Sequence, residues 1–173
     1  MPALAKPDSA LGQFQSLAFD AQSKRAVTTH HDSSNGVRVW DSDTGQLLVV
    51  MCGHSGEVTD ASFSPDGRRV LSASRDGTAK VWDSESGVCL LSLQAHGFGL
   101  ESAVFSPDGC YIAAGSVRGD VQLWSGGSVC LATFVEHIFI VTHLVFSPDG
   151  RTSCSGDDAG IVCLRDICGF IEH

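Results

Sequence analysis

The chain has 173 residues, 43% of them hydrophobic, which excludes an unstructured polar polymer and is long enough to bury a core. Eleven Lys and Arg stand against 20 Asp and Glu, a net charge of −9, so the surface as a whole disfavours nucleic acid and anionic lipid. No apolar run approaches the roughly 20 residues that a membrane-spanning helix needs. The first dozen residues lack the apolar stretch of a secretory signal, so an intracellular setting, cytoplasmic or nuclear, is expected. The seven cysteines are odd in number and form no CxxC, which predicts reduced thiols packed as small hydrophobes.

Four similar units follow a short extension, residues 1–13. In the first unit, 14–51, strands are predicted at Leu17–Asp20, Ala26–Thr29, Val37–Trp40 and Leu47–Met51. The second, 52–93, predicts Val58–Phe63, Arg69–Ala73, Thr78–Trp82 and Val88–Leu93. The third, 94–134, predicts Glu101–Phe105, Tyr111–Gly115, Asp120–Trp124 and Val129–Phe134. The fourth, 135–168, predicts Val141–Phe146, Thr152–Ser155 and Ile161–Leu164, and a tail, 169–173, closes the chain. No segment of useful length has helical periodicity.

The units share a period. FSPDG begins at Phe63, Phe105 and Phe146, spaced 42 and 41 residues, and Trp40, Trp82 and Trp124 are spaced 42 and 42. In Ser64-Pro65-Asp66-Gly67, Pro presets φ at the turn, Asp caps locally and Gly accepts positive φ. A His precedes each FSPDG Phe by nine residues, at His54, His96 and His137. With Gly53-His54, Asp76-Gly77-Thr78, Val39-Trp40-Asp41 and Val81-Trp82-Asp83, the chain resembles the WD-repeat family over residues 14–168.

That resemblance implies an all-β fold, a β-propeller of about four blades, each a four-stranded antiparallel sheet. It also implies a buried hydrogen-bonded set in the second unit of His54, Ser72, Asp76 and Trp82. The other units depart from the pattern. The third has Ala114 and Arg118 in place of Ser and Asp. The fourth keeps His137 and Asp158 but has Leu164 where Trp is expected. The first has Thr28, Asp32 and Trp40, with Ala10 in the His place. Only the second is therefore expected to hold a complete network. His30-His31 reads as a solvated loop.

Ser, His and Asp within one unit invite a hydrolase reading. Against it, a nucleophile must be exposed beside a base and an oxyanion hole, and Ser72 falls inside a sheet with no GxSxG turn. A zinc site from Cys52 and His54, or from Cys163 and Cys168, has poor ligand spacing. No catalytic residue, cofactor or metal is expected, and the chain reads as no enzyme. A phosphate or nucleic-acid reader would have to use the local cations Arg68, Arg69, Arg75 and Lys80.

The favoured reading is a scaffold that recruits proteins or peptides. By resemblance, partners dock on the face built by inter-unit loops and second-to-third strand turns. There Phe98 and Phe139 are candidate aromatic anchors, and Glu57, Glu101, Arg75 and Asp157 are candidate rim residues. The family's usual ring has about seven blades, and propellers run from about four to eight. Four units predict an open ring, completed by further blades of a longer chain or by a second copy; closure of four blades alone would be strained. The fourth unit also lacks an outer strand, and Ala3–Lys6, between Pro2 and Pro7, is a poor substitute.

Overall fold

The computed structural model describes residues 13–95 and 97–171, and these residues form four antiparallel sheets in succession. The first holds β1 (Gln13–Phe19), β2 (Arg25–His31), β3 (Val37–Asp41) and β4 (Leu47–Met51). The second holds β5 (Val58–Phe63), β6 (Arg69–Ser74), β7 (Thr78–Asp83) and β8 (Cys89–Gln94). The third holds β9 (Leu100–Phe105), β10 (Tyr111–Ser116), β11 (Asp120–Ser125) and β12 (Cys130–Val135). The fourth holds only β13 (Val141–Phe146), β14 (Thr152–Asp157) and β15 (Val162–Asp166). Each sheet meanders in chain order, as hairpin connections require. Ala10 and the Ala3–Lys6 segment fall outside the described residues, as does His96.

The turns explain the meander. The Gly ending each SPDG turn, Gly67, Gly109 and Gly150, sits at φ near +70°, where a Cβ would be strained. The Ser of each turn, Ser64, Ser106 or Ser147, accepts the backbone N–H that opens the following strand, at 2.9–3.0 Å. Trp40, Trp82 and Trp124 lie opposite Ala26, Val70 and Ile112, the same register position in three successive sheets.

The sheets stack as blades. The inner strands β1, β5, β9 and β13 lie side by side in that order, and β1 and β13 are not packed against each other. The core lies between blades. Val27, Val37 and Val39 of blade one pack against Val58, Phe63 and Trp82 of blade two. Leu71, Val81 and Leu93 of blade two pack against Leu100, Ile112 and Trp124 of blade three. Val121 and Leu123 of blade three pack against Val141, Leu144 and Phe146 of blade four. Among the described residues the ring is open, with blade four one strand short.

One four-residue helical turn, α1 (Cys168–Ile171), follows β15 and is the only helix among the described residues, in keeping with an all-β fold. Ile167, just before it, is fully buried in the last core cluster, and Phe170 meets Phe134 edge to face at 5.6 Å. The thiols do not act as core filler. Cys52, Cys89, Cys110 and Cys130 are exposed, and Cys154, Cys163 and Cys168 are half-buried. No described helix is long and apolar enough to cross a membrane.

Candidate functional site

Blade two brings His54, Ser72, Asp76 and Trp82 together in one chain of hydrogen bonds. The Trp82 indole N–H donates to Ser72 Oγ at 2.8 Å, and Ser72 Oγ meets His54 Nε2 at 2.8 Å. His54 Nδ1 meets Asp76 Oδ2 at 2.9 Å. The Asp76 carboxylate can only accept, so Nδ1 carries the proton, and in a neutral ring Nε2 accepts from the Ser72 hydroxyl, whose oxygen accepts from the indole. A neutral imidazole fits that polarity. Burial depresses the His54 pKa and outweighs the opposing pull of Asp76.

Burial alone would raise the Asp76 pKa. The Thr78 hydroxyl, the His54 ring and the N–H groups of Ser55 and Thr78 outweigh it and hold it at about 2. Ser72 is 0% exposed, so no substrate atom can reach its oxygen. The set joins the inter-blade loop, the second strand and the third strand of one blade into a unit.

Blade four has a second such chain, which the sequence reading did not expect. Arg165 Nη1 donates to Ser155 Oγ at 2.8 Å, and His137 Nδ1 meets Asp157 Oδ2 at 3.0 Å, with His137 Nε2 close on Ser155 Oγ at 2.6 Å. Two assignments change. Arg165 pairs with Ser153 as Trp82 pairs with Val70, so Arg165, not Leu164, occupies the Trp position. Asp157, not Asp158, holds the histidine. Asp157 was also expected on a binding rim, yet it is 7% exposed and occupied with His137 and the N–H groups of Ala159 and Ile161. Burial would raise its pKa, and the Ile161 N–H and the His137 ring outweigh it, so the pKa is lowered.

Blade one makes a shorter version. Trp40 Nε1 donates to Thr28 Oγ1 at 2.8 Å, and Thr28 Oγ1 meets His30 Nε2 at 3.0 Å. His30 is therefore a buried strand residue, with Phe14 edge-on at 6.2 Å, and not part of a solvated loop. Asp32 is taken by Arg38 at 2.7 Å.

The face at the ends of these networks carries the remaining candidates. Glu57 accepts from Gln15 Nε2 and pairs with His31 Nδ1, both at 2.8 Å, and from its other oxygen reaches Arg75 Nε at 3.4 Å. Arg75 Nη2 continues to Glu101 at 3.4 Å. One run of charge thus crosses blades one, two and three. Phe98 is half-buried, with the Arg118 guanidinium 4.2 Å over its ring, while Phe139 is 47% exposed beside Ile138 at 83%.

The four cations weighed as a phosphate patch do not converge. Arg75 and Arg69 lie at opposite ends of β6, about 20 Å apart. Lys80 donates to Ser92 at 3.0 Å. Arg69 is spent on the neighbouring blade, where it donates to the Gly109 carbonyl at 3.0 Å and lies 5.1 Å over the Phe105 ring. Arg25 repeats this one blade earlier, on Gly67 and Phe63. These cross-blade clamps were not legible in any single unit. No group of three or more metal-ligating side chains occurs among the described residues.

Comparison with known proteins agrees with this architecture. The family profile described as "WD domain, G-beta repeat" matches residues 45–83, 87–125 and 128–166, and the chain belongs to that family. Each match begins before the outer strand of one blade and ends within the third strand of the next, so the sequence repeat itself straddles the blade junction. The chain is 35% identical over 65 residues to eukaryotic translation initiation factor 3 subunit I of Culex quinquefasciatus, covering 38% of this chain and 19% of that protein. It is 41% identical over 64 residues to WD repeat-containing protein 97 of Homo sapiens, covering 37% and 4%. It is 47% identical over 49 residues to WD repeat and SOCS box-containing protein 1 of Xenopus tropicalis, covering 27% and 12%. The matched stretches are therefore a small part of each relative.

Among solved structures, the computationally designed Ika4 protein superimposes with a TM-score of 0.77 at 29% identity, covering 90% of this chain and 91% of that one. The designed Ika8 protein superimposes at 0.76 and 30% identity, covering 89% of this chain but 46% of that one. At the level of the family, such repeats are protein-interaction scaffolds.

Proposed function

We propose that this chain recruits a protein or peptide on the face built from Glu57, Arg75, Glu101, Phe98 and Phe139. The observation that carries the reading is the pairing on one face of an unsatisfied apolar group with a fixed run of charge. Phe139 and Ile138 stand in solvent in an inter-blade loop, and Arg75 is held in place between Glu57 and Glu101. Aromatic anchors beside an ordered polar rim are the arrangement from which binding energy and specificity come. The fitting partner offers an apolar side chain to Phe139 and Ile138 and a charge that competes for the Glu57–Arg75–Glu101 run. One relative, WD repeat and SOCS box-containing protein 1, joins such repeats to a second domain, which supports a recruiting role.

The test compares partner capture by the wild-type chain with that by Phe139→Asp, Arg75→Glu and Val129→Asp. Val129 is exposed just before the outer strand β12 and serves as a control for surface change. The first two substitutions are expected to lose the same captured partners that Val129→Asp retains. Partners that survive Phe139→Asp and Arg75→Glu would remove this face from the function.

A further inference from the structure

We propose that two copies of this chain close head to tail into one eight-blade ring, the open face of blade four in each copy covering the open face of blade one in the other. Every junction inside the chain is built from the same two half-surfaces. The half that faces the next blade carries the residues at the Val37 and Val39 positions, which are Ala79 and Val81 in blade two and Val121 and Leu123 in blade three, all at most 1% exposed. In blade four the same positions are Val162 and Leu164, exposed by 65% and 74%.

The receiving half carries Ala61 and Phe63 in blade two and Leu144 and Phe146 in blade four, all buried. In blade one those positions are Leu17 and Phe19, exposed by 50% and 55%. The chain thus displays the two complementary halves of one missing junction, both still apolar, at opposite ends. Contiguous apolar side chains left in water on a blade face mark an interaction site.

A polar feature points to the same pairing. Across the junction from blade two to blade three, Thr59 Oγ1 donates to the Leu100 carbonyl at 2.9 Å. Thr142 holds the Thr59 position in blade four, and Phe14 holds the Leu100 position in blade one, by strand register. Thr142 of one copy is therefore placed to donate to the Phe14 carbonyl of the other. The four blades superimpose on 46% of the designed Ika8 chain with a TM-score of 0.76, so they follow the curvature of about half of that chain. Two heterologous junctions related by a two-fold axis close the ring, with no exposed blade face left to propagate.

Sedimentation of the chain and of Leu17→Asp and Leu164→Asp tests the proposal. Both leucines are at least half exposed within one chain, so neither change should disturb its fold, which far-UV circular dichroism checks. The wild-type chain is expected at twice 18.2 kDa, and each variant alone at 18.2 kDa, because every junction uses one blade four and one blade one. A wild-type monomer overturns the closure, as does a mass above two copies, the mark of an unclosed stack. A dimer that survives either variant means that one face pairs with itself, and overturns the head-to-tail arrangement.

Discussion

Arg165 does for Ser155 what Trp82 does for Ser72: each donates a nitrogen-bound proton to the serine oxygen at 2.8 Å, from the same register position of its blade. The replacement keeps the direction of the hydrogen-bond chain and adds a charge. Arg165 Nη2 also pairs with Glu136 at 2.7 Å, and the guanidinium lies 5.2 Å over the Phe134 ring of the preceding blade. One side chain therefore ties blade four to blade three and completes its internal network.

Arg165→Met tests that double role. The substitution keeps the apolar stem but leaves Ser155 without its donor, while Glu136, 42% exposed at its side chain, can return to water. The loss should be nearer the cost of a broken charged hydrogen bond than of an orphaned buried ion, about 2 kcal/mol. Urea unfolding would read it as a lower midpoint, and an unchanged midpoint would make the Arg165 contacts incidental.

Acid should loosen blade two through a definable pair of groups. The folded Asp76 pKa is about 2 against an ordinary 3.8, so Asp76 stabilises the fold fully above pH 4–5, and that contribution is lost as pH falls toward 2. The His54 pKa is also lowered, so its contribution is complete above its ordinary value of 6.5 and declines as pH falls below that. Both slopes have the same sign: stability rises with pH. Thermal unfolding of Asp76→Asn across this range should show a flatter acid limb than wild type, with a lower melting temperature at neutral pH. A parallel acid limb in the variant would place the sensitivity elsewhere.

The period, the turns and the blade-two network were legible because each rests on residues whose chemistry admits few places. Pro, Asp and Gly fix a turn, and a buried indole and imidazole demand partners within one unit. Blade four was misread by one residue for a related reason: Leu164 looks more like a replacement for Trp than Arg165 does. Yet Leu164 points to the open face, and only strand register puts Arg165 on Ser155. Asp157 reaches His137 from the last residue of β14, whereas Asp76 does so from the turn beyond β6, so a fixed offset picked Asp158. His30 looked solvated because its cover, Phe14, comes from a different strand. The Arg25 and Arg69 clamps join residues 42 and 40 apart, on separate blades, where no local pattern could reveal them.

Arg69→Met isolates one of those clamps. It removes the hydrogen bond to the Gly109 carbonyl and the cation over Phe105 while keeping an apolar stem against the neighbouring blade. The expected cost is about 1–2 kcal/mol. Arg68→Met is the control, because Arg68 is exposed and should shift stability by no more than about 0.5 kcal/mol. Equal denaturant midpoints for the two variants would mean that the blade junction does not depend on the clamp.

Gly119 ties the strand turn of blade three to the loop that presents Phe139. Its φ is +94°, and a Cβ there would strike the His137 carbonyl oxygen and lie 2.6 Å from the carbonyl carbon and 3.1 Å from the Phe139 oxygen. Backbone is the obstacle, so the loop from His137 to Phe139 would have to move as a whole. Gly119→Ala should therefore destabilise by about 3 kcal/mol or more. It should also displace the aromatic anchor, giving weaker partner capture at temperatures where the protein is still folded. Gly127, where a Cβ meets nothing within 4 Å, is the matching control and should tolerate Ala within about 0.5 kcal/mol. If Gly119→Ala melts with Gly127→Ala and captures as the wild type does, the close approach of turn and loop does not set the shape of the face.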